Sequence, residues 1–103
     1  MNAEEVVFQI ILHAGNARSL AMEAISHAKN DDINGAREKL AEAGREIGEA
    51  HETQTELIQK EAQGKKSEVT LLLVHAQDHF MNALSIKDMA SEFIDLYEKL
   101  NIS

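Results

Sequence analysis

Residues 68–100 read EVTLLLVHAQDHFMNALSIKDMASEFIDLYEKL, and this stretch decides the fold. When it is projected as a helix, at about 100° per residue, its apolar side chains fall into two sets on different sides. One set is Leu73, Ala76, Phe80, Ala83 and Ile94, and the other is Leu71, Met89, Phe93 and Leu96. A helix that is apolar nearly all round must be buried nearly all round. Two companion helices in one small chain cannot provide that burial, so we expect self-association with this helix in the shared core.

Two more helices are predicted before this one, because apolar residues recur there at spacings of three and four. Asn30-Asp31-Asp32 separates them, since these short polar side chains form turns and cap helices. A second break contains Gly64, a typical C-terminal cap, and Ser67, a typical N-cap. The 103 residues include no proline and few aromatic side chains. We therefore predict one all-α domain, residues 1–103, in which helices at about 3–28, 32–63 and 68–100 form an antiparallel three-helix bundle that assembles as a homotrimer.

Composition excludes several classes of protein. The absence of cysteine rules out disulfides, thiolate nucleophiles and cysteine-based zinc sites. A formal net charge of −8 argues against nucleic acid and anionic membranes as partners, and favours partners that carry a basic patch. The N-terminus lacks the basic segment of a signal peptide, and no apolar run is long enough to span a bilayer. We expect a soluble, cytoplasmic protein with no membrane insertion.

The residues that could carry chemistry are His75, Asp78 and His79, which stand one helical turn apart on one side of the third helix. Three hypotheses compete for them. The first is that they form a solvated polar patch, or a histidine satisfied by a carboxylate. The second is that they are part of a metal site, although no third ligand is identifiable from the sequence. The third is that one imidazole acts as a nucleophile. Spacing alone leaves all three open. By contrast, His13 and His27 stand singly and are expected to be ordinary surface or boundary residues.

Three stretches resemble one known family. They are Gly-Asn-Ala-Arg-Ser at 15–19, Ala-His-Glu-Thr-Gln-Thr-Glu-Leu-Ile at 50–58, and Val-His-Ala-Gln-Asp-His-Phe-Met at 74–81. They are similar, in order and separation, to the signature stretches of the IIA components of lactose/cellobiose-type sugar phosphotransferase systems. The third stretch is the most specific, and the similarity extends over nearly the whole chain.

The resemblance implies a phosphocarrier. His75 would take a phosphoryl group from the histidine phosphocarrier protein and pass it to a cysteine of a sugar-specific IIB component, for uptake of a disaccharide of the cellobiose/chitobiose or lactose type. The form of the motif, with Ala76 after the histidine, looks closer to the cellobiose/chitobiose branch. The family fold is a three-helix unit that trimerises, which agrees with the apolar pattern of the third helix.

The resemblance also implies roles for the neighbours of His75. Asp78 would point to the trimer axis, where three carboxylates would hold a divalent cation, best Mg²⁺, in a structural site. From the chemistry of phosphoryl transfer, His79 is expected to donate to the phosphoryl oxygens, with help from Gln77 or from a group of a neighbouring subunit. The alternative is that Gln77 only packs or is solvated and His79 only buttresses. His51 is expected either to line the groove beside His75 or to fill a buried polar position. The alternative function is a non-catalytic trimeric helical adaptor with a buried His-Asp-His polar group.

Overall fold

The protein forms three long helices in a computed structural model that describes residues 3–66 and 68–102. They are α1 (Ala3–Lys29), α2 (Ile33–Ala62) and α3 (Leu71–Ile102), in a bundle whose extents are 57 × 19 × 19 Å. Consecutive helices run antiparallel, and α1 packs against both α2 and α3 more extensively than these pack against each other. The predicted all-α three-helix unit is confirmed, and each helix end lies within three residues of its predicted position.

The α1–α2 turn is stabilised by Asp32, the N-cap of α2. The Asp32 carboxylate accepts a hydrogen bond of 3.0 Å from the backbone N–H of Gly35 and pairs with Nδ1 of His27 at 2.8 Å. These contacts hold the pKa of the Asp32 carboxyl below its ordinary value, chiefly through the bond from Gly35 and secondly through His27. One carboxylate thus satisfies the first turn of α2 and ties it to the last turn of α1.

The end of α2 is a glycine cap, as predicted. Gly64 has a φ of 88°, in the left-handed region that only glycine adopts without strain. Its N–H bonds to the carbonyl of Glu61, and the N–H of Lys65 bonds to the carbonyl of Lys60. This pair of bonds is the Schellman motif, which satisfies carbonyls that the helix leaves without partners.

The predicted start of α3 at residue 68 is wrong, because the helix begins at Leu71. Thr70 performs the capping: its Oγ1 accepts from the N–H of Leu73 at 3.1 Å, and its carbonyl accepts from Val74. A threonine hydroxyl, like that of serine, accepts a hydrogen bond from a free N–H of the first turn. The predicted cap Ser67 lies outside the described residues.

The core of the bundle is built largely from alanine. Among the described residues, the largest fully buried side chains are Ile10 and Ile94, and most other buried positions are alanines of the three helices. Small side chains let the helices approach closely, so each contact is tight although it buries little area. On α3, Ala76 and Phe80 belong to the cluster around Ile10 and Ile47, which fixes how α3 is rotated about its axis.

The opposite side of α3 leaves a stripe of large apolar side chains exposed, which we call the outer stripe. Its members are Leu71, Val74, Met81, Met89, Phe93, Leu96 and Leu100, with Leu71 the most exposed at 86 %. The predicted division of α3 into two apolar sides is therefore confirmed: the bundle buries one and leaves the other to solvent. Within the described ranges, no helix is long and apolar enough to cross a membrane.

Candidate functional site

The site lies in the first two turns of α3, where the rotation set by the core directs His75 and Asp78 outward. His75 is exposed and His79 is partly buried. Their imidazole rings are stacked, with centroids 5.9 Å apart and planes inclined by 9°. At this separation the parallel rings are offset, so the arrangement presents one imidazole to solvent with a second imidazole alongside it.

The imidazole of His79 lies against α1, near Gly15. A Cβ atom added at Gly15 would lie 3.4 Å from Nε2 of His79, so the ring lies directly beside the α1 backbone. Because glycine has no side chain, α1 leaves room for the ring there. His79 is therefore held between α1 and the ring of His75.

Asp78 lies within the outer stripe, near its N-terminal end, because Leu71, Val74 and Met81 are one or two turns away on the same side of the helix. It is exposed, and no hydrogen bond or ion pair to it occurs among the described residues. Throughout the described part of the chain, no group of three His, Asp or Glu side chains could hold a metal ion.

Gln77 occupies the other side of α3, about 200° around the helix from His75. Its Oε1 accepts a hydrogen bond of 2.6 Å from Nε2 of Gln54 on α2. Both side chains are partly buried, and their bond joins α2 to α3 on the side of α3 that faces away from His75. Within one chain, the structure brings His79 next to His75 but does not bring Gln77 there.

His51 lies on α2, where its ring contact is with Phe80 of α3. Its ring stacks on Phe80, with centroids 6.4 Å apart and planes inclined by 22°. Because His51 is exposed, the prediction of a buried polar position is wrong. Its contact supports Phe80, the side chain that fixes the rotation of α3.

His13 and His27 are boundary residues, as expected, but each has a carboxylate partner that sequence spacing did not reveal. Nδ1 of His13 lies 2.5 Å from Oε2 of Glu46 on α2, and Asn16 donates to the other oxygen at 3.4 Å. His13 and Glu46 are 33 residues apart in the chain, so helical periodicity carried no signal for this contact. The first pair joins α1 to α2, and the second joins the end of α1 to the N-cap of α2.

Comparison with known proteins gives one consistent result. The family model described as "PTS system, Lactose/Cellobiose specific IIA subunit" matches residues 5–98. The lichenan-specific phosphotransferase enzyme IIA component of Bacillus subtilis is 62 % identical over 97 residues, which cover 94 % of this chain and 88 % of that protein.

Solved structures agree with the sequence comparison. The crystal structure of the cellobiose-specific enzyme IIA from Bacillus anthracis has a TM-score of 0.97 and 53 % identity, covering all of this chain and 94 % of the other. A chain from the solution structures of the IIA(Chitobiose)–HPr complex of Escherichia coli has a TM-score of 0.85 and 40 % identity, and the match covers 98 % of both chains. Since the family model spans nearly the whole chain and these relatives match it end to end, the chain belongs to the lactose/cellobiose-specific IIA family of the sugar phosphotransferase system.

Proposed function

We propose that the protein is a phosphocarrier whose His75 accepts a phosphoryl group from HPr, the histidine phosphocarrier protein, and passes it to a cysteine of a IIB component. The observation that carries the proposal is the exposed imidazole of His75, stacked on the partly buried ring of His79. A nucleophile that serves two protein partners in turn must be accessible and held in one orientation. The related chitobiose protein in a complex with HPr supports the choice of donor.

Each transfer is a displacement at phosphorus that conserves the phosphoryl group. An unprotonated ring nitrogen of His75 attacks the phosphorus of phosphohistidine on HPr, and a new N–P bond forms. The old N–P bond breaks as its electron pair returns to the donor ring, which keeps the proton on its other nitrogen and leaves as neutral imidazole. In the second transfer, a cysteine thiolate attacks and the electron pair of the N–P bond returns to His75. Such transfers depend mainly on positioning and on stabilising charge on the phosphoryl oxygens.

The neighbours of His75 take different roles in this proposal. His79 supports the ring of His75 and is the nearest group able to donate to phosphoryl oxygens on the same chain. Gln77, held by Gln54, acts at a distance by joining α3 to α2. His75 is therefore the nucleophile, His79 the adjacent donor and Gln77 the support.

The working unit in this proposal is a homotrimer in which the outer stripes of three α3 helices cover one another. An exposed apolar face of this length destabilises a lone chain in water, and burying it is favourable. Asp78 lies within that stripe, so trimerisation would bring three carboxylates together, where like charges repel. Oxygen ligands suit Mg²⁺, and a cation held by the three Asp78 side chains would offset this repulsion in a structural role.

The proposed cargo is a disaccharide of the cellobiose/chitobiose type, taken up by a membrane component that this protein serves from the cytoplasm. Relatives named for lichenan, cellobiose and chitobiose support this choice over lactose. The IIA component itself handles only the phosphoryl group, so its own site does not need to fit the sugar.

The test is intact mass spectrometry after incubation with phosphoenolpyruvate, enzyme I and HPr. We expect the wild type to gain one acid-labile phosphoryl group and His75→Ala to gain none, whereas the control His27→Ala, at the α1–α2 turn, gains it as the wild type does. If the wild type gains nothing, the adaptor function is favoured, with the outer stripe of α3 as its binding surface. If His75→Ala is phosphorylated fully, His75 is not the nucleophile.

A further inference from the structure

We infer that Gly15 of α1 is a positioning residue for phosphoryl transfer, which acts by leaving room for the ring of His79 and, through it, orienting His75. The inference rests on the proposed function, because it concerns the orientation of the proposed nucleophile. It assigns a role to a residue on another helix that itself contributes no reacting group.

The backbone of α1 does not need a glycine at this position. Gly15 lies in the interior of a regular helix, where glycine is less favourable than alanine, and positive φ angles occur elsewhere in the described chain, at Asp31 and Gly64. The local conformation therefore gives no reason for a glycine at this position, whereas a neighbouring side chain does. The neighbour is the imidazole of His79, whose Nε2 would lie 3.4 Å from an added Cβ.

The other glycines in helix interiors differ from Gly15. A Cβ added at Gly44 would come no closer than 3.9 Å to an atom of Lys87, a flexible side chain. A Cβ added at Gly48 would meet nothing within 4 Å. Of these three glycines, Gly15 alone faces a ring of the site, so Gly48 provides a matched control.

A change at Gly15 reaches His75 through the ring stack. An alanine Cβ would just reach van der Waals contact with His79, and the branched side chain of valine would extend into the space that the ring occupies. The ring of His75 lies beside that of His79, nearly parallel to it and with centroids 5.9 Å apart, so a displaced His79 ring moves into the space next to His75. A displaced His75 meets the phosphorus of its partner in poorer alignment, and transfer rates are sensitive to misplacements of 1 Å or less.

The experiment measures the rate of phosphoryl transfer from phosphorylated HPr to five proteins: wild type, Gly15→Ala, Gly15→Val, Gly48→Ala and Gly48→Val. Thermal melting of each protein establishes that it is folded. The imidazole ¹H–¹⁵N spectra of His75 and His79 give a second readout, which a loss of helix stability alone would not change. The same Gly15 changes are also made in a His79→Ala background, as a double-mutant cycle.

We expect Gly15→Val to slow transfer by about 100-fold and Gly15→Ala by less than about 10-fold, with shifted imidazole signals, while both Gly48 variants transfer at the wild-type rate. In the His79→Ala background, the Gly15 changes should have little further effect, since the ring through which they act is gone. A folded Gly15→Val protein with wild-type rate and spectra would overturn the inference. The inference would also be overturned if Gly15→Val slowed transfer just as much in the His79→Ala background as in the wild-type background. Failure of the wild type to accept phosphate would instead refute the proposed function.

Discussion

The hydrogen bond between Gln54 and Gln77 can be tested by replacing each side chain with leucine, singly and together. Its length is 2.6 Å and both amides are partly buried. Either single change leaves one amide without its partner, which costs about 1–3 kcal/mol for a buried group. We expect about 1–2 kcal/mol here, because water still reaches a partly buried amide. The double variant should be nearly as stable as the wild type, since two leucines of similar shape need no hydrogen bond.

The assay is urea unfolding of the four proteins at one fixed protein concentration, because assembly makes stability depend on concentration. Gln59→Leu, an exposed change on α2, is the control and should alter stability by no more than about 0.5 kcal/mol. The expected coupling energy is above about 1 kcal/mol. Additive single changes would refute the reasoning that this bond joins α2 to α3.

The same four proteins also test how Gln77 takes part in transfer. If Gln77 acts only by joining α3 to α2, the double variant should accept phosphate at close to the wild-type rate. A large loss of rate in every protein that lacks Gln77, whatever residue stands at 54, would show that Gln77 contributes to transfer directly.

Three further predictions concern assembly, packing and pH. Asp78→Leu should give a trimer that survives chelation, measured by light scattering, whereas the wild-type trimer weakens when metal is removed; a wild type unaffected by chelation would contradict the metal role. Ile94→Ala should lower the free energy of unfolding by about 2–5 kcal/mol, towards the upper end because its buried neighbours are alanines that cannot fill the cavity, and Ile94→Val by about 0.5–1.5 kcal/mol. The pKa of Asp32 is lowered in the fold, so its carboxylate stabilises the protein fully above the unfolded pKa of about 4 and loses this effect as the pH falls through the folded pKa. Melts from pH 5 to 2 should therefore show the stability advantage of the wild type over Asp32→Asn shrinking as the pH falls, and a constant difference would contradict this.

Much of the fold could be predicted because it depends on local interactions. Helical periodicity, the turn at Asp31 and Asp32 and the glycine cap at Gly64 each involve residues a few positions apart, and all three were confirmed. The start of α3 was misplaced because Ser67 and Thr70 are both suitable caps. Composition does not distinguish them, whereas the hydrogen bond from Leu73 to the Thr70 hydroxyl shows which one caps the helix.

The candidate site could also be predicted where it depends on residues that are close together in the sequence. The spacing of His75, Asp78 and His79 placed them on one helix and near one another, and the resemblance of residues 74–81 to a family motif indicated what kind of chemistry to expect. Gln77 was expected to support phosphoryl transfer or only to pack, and the structure shows that within one chain it bonds to Gln54 on another side of α3 from His75.

By itself, then, the sequence determined three helices, two apolar sides on the third, the family and the identity of the residues that could react. Only the tertiary structure decided that Gly15 lies against His79, that His13 pairs with Glu46, and that His75 stacks on His79 with its ring open to solvent. The physical reason is that periodicity defines the faces of one helix but not its rotation or height relative to another. That register is set by close packing of small side chains such as Ala14 and Ala76 around Ile10 and Phe80, a collective property of all three helices.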